Sequence, residues 1–401
     1  MSNFEKAKSV AITPTVKGRY DVIVVGGGIS GVCASVAAAR QGLSVLLMEK
    51  SVNLGGLATS GLISWYEPLC NGMGKKVMSG LAEELIKLSV ACGFDNLPAS
   101  WGGKSQNPPR NDRYSTFYSP TFFTLALDKF VTDNGVKLLF DTLATYPLME
   151  NGRCKGIIGE TVAGSELYES SIIIDCTGNA TVMKRAGVPC REGKNFLTYI
   201  VHEMDTVSAE QYAKDKDLAK FRRWKNCGAD YMGNGHPRGL RLFCGDSAED
   251  ITEFMLEGKL RMLEKYDNTD KNSREIFTVP SMPQFRTVRN ICGESDFDGD
   301  ENRTELADSI GTVGDFRCVQ KTYNIPYSAL YNKDFDNLLA AGRIISVKDF
   351  NAWEIARVIP VCALTGEAAG IAAALAIRNS CAVSDIDVKK LQDKLSESSS
   401  W

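Results

Sequence analysis

Tyr20-Asp-Val-Ile-Val-Val25-Gly26-Gly27-Gly28-Ile29-Ser30-Gly31 decides the fold, together with Ser44-Val-Leu-Leu-Met-Glu49 and the alanine-rich stretch between them. The order is a buried strand, a glycine turn, a helix, a second buried strand and an acid. Each part suits a nucleotide cofactor for a physical reason. Gly26 permits a tight turn, Gly28 lets backbone approach a pyrophosphate, and Gly31 lets helix and strand pack closely. The helix N-terminus offers N–H groups and the positive end of its dipole. Glu49, roughly twenty residues on, is placed to accept hydrogen bonds from a ribose diol.

The rest of the composition narrows the class. A chain of 401 residues has room for two domains and a large core. Hydrophobic residues at 44% and charged residues at 24% are ordinary globular values. A net charge of −3 gives no reason to expect nucleic acid or an acidic membrane surface as partner. The first twenty residues lack a signal-peptide core, and no apolar run reaches membrane-spanning length, so a cytoplasmic protein with no membrane span is expected. The 12 cysteines are scattered and form no Cys-x-x-Cys pair. With only His202 and His236 besides, no metal site is expected, and the thiols read as free in a reducing compartment.

Residues 1–18 read as an N-terminal arm, and 51–64 as a loop threading past the cofactor. Residues 80–91 have helical apolar spacing at Leu81, Leu85 and Leu88. Residues 98–118 are polar and loop-like, with Arg110, Arg113, Tyr114 and Tyr118. Residues 120–134 form a helix with a stripe of Phe123, Leu127, Phe130 and Val131, ended by Asn134-Gly135. A strand at 136–140 follows, then a hairpin over 144–160 turning at Asn151-Gly152. A strand at 167–175 enters Cys176-Thr177-Gly178-Asn179. Residues 190–325 mix possible strands (196–201, 240–244) with an amphipathic helix (248–265). A short buried strand at 337–342, a long small-residue helix at 360–376 and a terminal helix at 383–395 complete the chain, ahead of a serine-rich tail expected to be disordered. The expected fold is α/β. A Rossmann-like nucleotide domain spans 1–190 and 320–401, and an inserted α+β substrate domain spans 191–319.

Further motifs follow the fingerprint in order: Gly55-Gly56-Leu57-Ala58-Thr59-Ser60-Gly61, Asp175-Cys176-Thr177-Gly178, Pro283-Gln-Phe-Arg286-Thr-Val-Arg289, Ile325-Pro-Tyr-Ser-Ala-Leu330, Asn337-Leu-Leu-Ala-Ala-Gly342-Arg343, and Arg357-Val-Ile-Pro360-Val-Cys362-Ala-Leu-Thr-Gly366-Glu-Ala-Ala-Gly370. In this sequence of motifs the chain resembles the FAD-dependent oxidoreductase family of two-domain flavoproteins, distantly similar to fumarate reductase and thiazole-synthase flavoproteins. The resemblance covers nearly the whole chain and is thin over 195–280. It implies a glutathione-reductase-type nucleotide domain. It also implies a cofactor site built from Gly26, Gly28, Ile29, Ser30, Gly31, Glu49, Lys50, Gly55, Gly56, Leu57, Ala58, Thr59, Ala144, Thr177, Gly178, Gly342, Arg343 and Val361. Arg286, Arg289 and Tyr327 are the candidate catalytic residues, and Arg357 and Ser346 resemble positions near the flavin or the domain junction.

The residues carry physical readings of their own. Without side chains at Gly55 and Gly56, backbone can lie flat along a dinucleotide, and the Thr59 and Ser60 hydroxyls can add contacts. Arg343 is either a phosphate partner or a surface charge. Arg286 and Arg289 either address flavin or substrate, or bridge domains through salt bridges. The helix near Pro360, if aimed at the flavin N1–C2=O edge as the resemblance implies, favours the anionic reduced flavin; its small residues suit close packing in any case.

A second glycine fingerprint is missing, so a dedicated nicotinamide domain is not expected. The 55–64 loop has no histidine, so FAD should be held non-covalently. The expected function is an FAD-dependent oxidoreductase passing hydride between flavin N5 and a small polar organic substrate, first of all oxidation of a hydroxylated or sugar-like compound. One alternative is reduction of an activated C=C bond of enoate type, with Arg286, Arg289 and Arg113 supplying acid and carboxylate clamp. Another is a non-catalytic flavin electron-transfer module. The sequence names neither the electron acceptor nor the oligomeric state.

Overall fold

The computed structural model describes residues 11–104, 113–299 and 306–398. Strand β1 (Thr15–Val25) runs into helix α1 (Ile29–Arg40) and then β2 (Val45–Met48). Val22, Ile23 and Val24 are fully buried, as a strand covered on both faces requires. The strand begins earlier than the expected arm allowed, because Thr15–Tyr20 ladders in parallel against residues 166–170. Two short strands, β3 (Trp65–Tyr66) and β4 (Thr116–Phe117), pair with each other. Helix α2 (Leu81–Val90) lies between them in sequence, and α3 (Pro120–Asp133) follows. Then come β5 (Lys137–Leu139), β6 (Leu143–Glu150), β7 (Arg153–Thr161) and β8 (Gly164–Asp175). The β6–β7 turn sits at Asn151 and Gly152, both at positive φ (51° and 77°), as an Asn-Gly hairpin demands.

Beyond α4 (Thr181–Ala186) the chain builds smaller sheets. Strand β9 is Cys190–Glu192, β10 is Ile200–Asp205 and β11 is Arg223–Asn226. Helices α5 (Thr206–Asp215), α6 (Leu218–Phe221) and α7 (Ala248–Glu264) are followed by β12 (Arg274–Thr278), β13 (Arg289–Ile291), β14 (Ser309–Gly314) and β15 (Thr322–Pro326). Strand order is β11-β10-β12 in one sheet, with β13-β9 and β14-β15 as separate pairs. The strand expected at 196–201 is displaced toward β10. The one expected at 240–244 is no strand, making a single bridge between Phe243 and Asn195. Phe243 is instead drawn into a cluster with Leu197, Phe254 and Phe285, so tertiary packing overrides the local apolar pattern.

The chain returns through β16 (Leu338–Ala340), α8 (Phe350–Ala356), α9 (Ile359–Asn379) and α10 (Val388–Ser398). The terminal helix thus reaches Ser398, inside the serine stretch read as disordered; residues 399–401 lie outside the described residues. The main sheet has the order β5-β2-β1-β8-β7-β6, and β16 joins the far end of β8. Strand β8 is long enough to serve two ladders. Its first half pairs antiparallel with β7, and Ile173–Asp175 pair in parallel with β16. The parallel strands β5, β2, β1, β8 and β16 form the core of the α/β fold.

Helix α9 is 21 residues long with mean hydropathy 1.6, so by length and composition it does reach membrane-spanning size. Its surface is spent inside the protein. A methyl group on Gly366 would stand 2.2 Å from the Ser30 carbonyl oxygen, and one on Gly370 would stand 2.4 Å from that of Ala34. Two glycines four residues apart bring α9 and α1 into backbone contact, with the first turn of α1 packed about two turns along α9.

Candidate functional site: a dinucleotide cradle and a guanidinium cluster

Gly26 has φ of +101°, and a Cβ there would lie 2.5 Å from the Cys176 carbonyl oxygen. A Cβ on Gly31 would lie 1.8 Å from the Gly26 carbonyl oxygen. Both positions are closed by packing. Gly28 differs: with φ of −66° and ψ of −179° it has a backbone any residue adopts, and a Cβ there would meet nothing within 4 Å. It faces open space. Alongside runs the second glycine pair. Gly55 N–H donates to the Gly27 carbonyl at 2.8 Å, and a Cβ on Gly56 would lie 3.2 Å from Gly28 Cα. Glu49 closes this floor: its Oε2 accepts from Gly27 N–H at 2.6 Å and its Oε1 from Ser51 N–H at 2.8 Å. Lys50 is exposed beside it.

Helix capping tests the fit to an anionic dinucleotide. The first turn of a helix leaves N–H groups that need acceptors. Ser119 caps α3, Asp205 α5, Asp217 α6, Ser247 α7 and Asp349 α8. Glu367 accepts from Leu81 N–H of α2 at 2.9 Å. Thr177 and Asp175 accept from Thr181 and Met183 of α4, and Asp387 accepts from Lys389 and Lys390 of α10. Among the described residues, α1 and α9 alone begin without a side-chain acceptor. Ile29, Ser30 and Gly31 form the open first turn of α1; Val361, fully buried, lies in that of α9. The start of α1 lies about two turns along α9, since a Cβ on Gly342 would stand 2.6 Å from Ser30 Oγ and Gly342 N–H donates to Thr365 Oγ1 at 2.9 Å. Two uncapped helix ends over a glycine floor fit a pyrophosphate and a second electron-rich group.

Other expected cofactor residues support the cradle from within. Leu57 and Ala58 form a 3-10 turn with Gly56, and the Ala58 carbonyl accepts from Tyr118 OH at 2.9 Å. The Thr59 hydroxyl is spent on the Leu54 carbonyl at 2.5 Å, whereas Ser60 Oγ is buried without a partner. Ala144 sits buried in β6. Thr177 donates to Asp175 Oδ1 at 2.7 Å, shaping the turn that presents the Gly178 carbonyl to Arg343 Nε.

Arg343 is no surface charge. It donates to the Gly178 and Phe285 carbonyls, and burial, with Arg357 nearby, pushes its pKa down to about 10. Arg286 shares this fate, pushed to about 10 by burial first and by the Arg357 charge second. Its Nη1 donates to the Asp230 carbonyl at 2.8 Å. Arg357 is bound by Glu354, with Nε to Oε1 at 2.8 Å, and lies over the Phe316 ring. Three guanidiniums thus gather beside the start of α9, and the carboxylate among them, Glu354, is already engaged. Glu354, Asp230 and Phe316 belong to no motif and carry no sequence signal of this role.

Two of the three catalytic candidates leave the site. Arg289 opens β13 and turns to Asp246, 3.9 Å from its carboxylate, whereas Arg286 sits at a bend before the strand. Tyr327 is 1% exposed and donates to the Val383 carbonyl at 2.7 Å; burial holds its phenol well above the ordinary pKa. Arg113 is likewise buried on the Asp315 carbonyl, and Ser346 pins Gly293 N–H to Asp296. Tyr114 stacks on Trp101. Arg110 lies outside the described residues. None of the 12 cysteines is in a disulfide, and no group of three or more metal-ligating side chains occurs among the described residues.

Residues 21–291 and 295–395 match the family described as FAD dependent oxidoreductase. A digeranylgeranylglycerophospholipid reductase of Methanocella arvoryzae is 26% identical over 181 residues, 43% of each chain. An NADH:acrylate oxidoreductase of Vibrio harveyi is 28% identical over 158 residues, 37% of this chain and 14% of that protein. The matches span under half the length of the first two curated relatives, 43% and 48%. Among solved structures, a geranylgeranyl bacteriochlorophyll reductase-like protein of Thermoplasma acidophilum aligns over 95% of this chain and 83% of its own, at 14% identity and a TM-score of 0.48. A family match over nearly the whole chain falls on a cradle already shaped for a dinucleotide: the chain belongs to the FAD-dependent oxidoreductase family, and its cofactor is FAD.

Proposed function

We propose that this chain reduces an activated C=C bond in a small organic carboxylate. The observation that carries the reading is the gathering of Arg286, Arg343 and Arg357 around one carboxylate that Arg357 already occupies. Such a locus favours a bound anion. Among the described residues the cluster holds no histidine, and the Tyr327 phenol is sealed in the core, so neither serves there as the base that alcohol oxidation needs. Oxidation of a sugar-like compound loses its support on that ground. The names of two relatives, a reductase of a lipid and an oxidoreductase of acrylate, agree with the reductive direction.

When bound, FAD supplies the two-electron chemistry. The protein's own residues bind, orient and protonate. Arg357, fixed by Glu354, clamps the substrate carboxylate. Arg286, made more acidic by burial and held at Nη1 by Asp230, is placed to give a proton to the substrate carbon. The uncapped N-terminus of α9 stabilises negative charge beside them. The cluster draws Arg343, Glu354 and Arg357 from one part of the chain and Asp230, Arg286 and Phe316 from another. This supports a nucleotide domain at 1–190 and 320–401, of glutathione-reductase type, with 191–319 inserted as a cap. FAD is held non-covalently, and the protein works in the cytoplasm.

Anaerobic mixing tests the direction. Reduced holoenzyme should be reoxidised by fumarate or crotonate, read at the flavin band, while sugars and secondary alcohols leave the oxidised enzyme unchanged. Reduction by alcohols without reoxidation by unsaturated acids overturns the proposal. Flavin released by denaturation checks the non-covalent link.

A further inference from the structure

A second site lies outside the cradle and the guanidinium cluster and shares no lining residue with either. A cavity of about 570 Å³ opens between α3, α6 and the β10–β12 pair, within the size range of small-molecule sites. Its walls include Phe94, Phe122, Met204, Leu218 and Phe277. Phe122, Leu218 and Phe277 leave 47%, 49% and 44% of their surface exposed there, a concentration of uncovered apolar area that isolated surface residues do not explain.

One charge stands in this apolar wall. Arg222 lies over the Phe94 and Phe277 rings, with 5.4 and 6.0 Å from its guanidinium carbon to the centroids. Its Nη2 donates to Ser119 Oγ at 3.2 Å, which fixes the fork. Its Nη1 is buried and donates to nothing. Among the described residues no carboxylate pairs with it, and burial lowers its pKa. A guanidinium set in an apolar wall without a carboxylate of its own favours a bound carboxylate, which accepts charge-assisted bonds from it.

We propose that this cavity binds a small organic carboxylate with an aromatic or alkyl body. The carboxylate accepts from the Arg222 guanidinium where it lines the cavity, and the body lies against Phe122, Met204 and Phe277. The site is independent of the reaction proposed for the flavin.

The test is calorimetric titration of the holoprotein with 3-phenylpropionate, which has no C=C bond to reduce. Binding should weaken at least tenfold with the neutral 3-phenylpropionamide, and at least tenfold again for 3-phenylpropionate on Arg222→Gln. Cys92 is exposed at the rim and lines the cavity, so Cys92→Trp should abolish binding without touching the core. In the unaltered protein, saturating 3-phenylpropionate should slow alkylation of Cys92, mapped by peptide. Equal affinity for acid and amide, unprotected Cys92, or a dimer of the chain that covers the cavity overturns the proposal.

Discussion

Gly28 and Gly31 should fail in opposite ways when each is changed to alanine. At Gly31 the added methyl would stand 1.8 Å from the Gly26 carbonyl oxygen, a backbone atom that cannot move aside without the whole turn. Overpacking a tight site costs about 1–3 kcal/mol, and a clash with backbone belongs at or beyond the top of that range. Gly31→Ala should therefore lose stability even without cofactor. At Gly28 the methyl meets nothing within 4 Å, and the backbone is extended. Gly28→Ala should fold as well as the parent to within about 0.5 kcal/mol. Yet the methyl projects into the space before the open first turn of α1. A phosphate pushed back there loses at least one charge-assisted hydrogen bond, about 1.5–3 kcal/mol, or about 10- to 150-fold in Kd. The assay is thermal melting of both apoproteins, followed by fluorescence titration with FAD. If Gly28→Ala binds FAD like the parent, or if its apoprotein melts as early as Gly31→Ala, the division between packing and cofactor glycines is wrong.

Within the guanidinium cluster, Arg286→Gln should lower turnover of an unsaturated carboxylate about 100- to 10,000-fold, from loss of the proton donor, while Arg289→Gln leaves steady-state kinetics unchanged. Equal losses in the two variants would return Arg289 to the site. Tyr327→Phe removes one buried hydrogen bond to Val383 and should cost about 1 kcal/mol in denaturant titration with unaltered turnover. A collapse of turnover in a folded Tyr327→Phe protein would contradict its place in the core. His202 is 1% exposed, and burial first, then the Arg222 charge, lower its pKa from 6.5 to about 4. The folded state therefore binds fewer protons than the unfolded chain between those values. Stability present above pH 6.5 is lost as pH falls toward 4, by at most roughly 3 kcal/mol. His202→Gln should flatten that part of a melting-against-pH curve; superimposable curves would refute the linkage.

The readable parts of the sequence were those where backbone geometry leaves few choices. Gly26, Gly31, Asn151-Gly152 and the Gly366–Gly370 pair each serve a turn or a close approach that a side chain would block, so their positions announce structure. The cradle was legible for that reason. The reactive cluster was not. Whether Arg286 faces Arg357 or Arg289 faces Asp246 depends on partners some 40 to 70 residues away and on the bends between the two arginines, which an Arg-x-x-Arg spacing alone does not settle. Tyr327 sits inside a motif, yet the motif records its packing against Tyr331 and Val383. Phe243 shows the converse: an apolar run that reads as a strand is consumed by a five-residue aromatic and aliphatic cluster instead. Arg222 belongs to no motif, and its meaning comes from the rings and the hydroxyl that three other segments bring to it.

The distribution of helix caps links these levels. Capping an N-terminus with Ser, Thr or Asp stabilises a protein by about 1 kcal/mol, and this chain uses such acceptors at most of its other α-helix starts, with Glu367 serving α2. It withholds them at α1 and α9, the two helices its glycines press together. Stability alone gives no reason for leaving out both of these caps. An anion that arrives after folding does: a side-chain cap would occupy the N–H groups and fill the space before them. The same logic extends to Arg286 and Arg343, which are partly buried without a carboxylate in a salt bridge and are made more acidic as a result. Donors left unmet by the chain at one junction are a demand for negative charge. The dinucleotide meets the part of that demand that lies over the glycines. On the proposed reading, the part beside Arg286 and Arg357 is left for the unsaturated carboxylate.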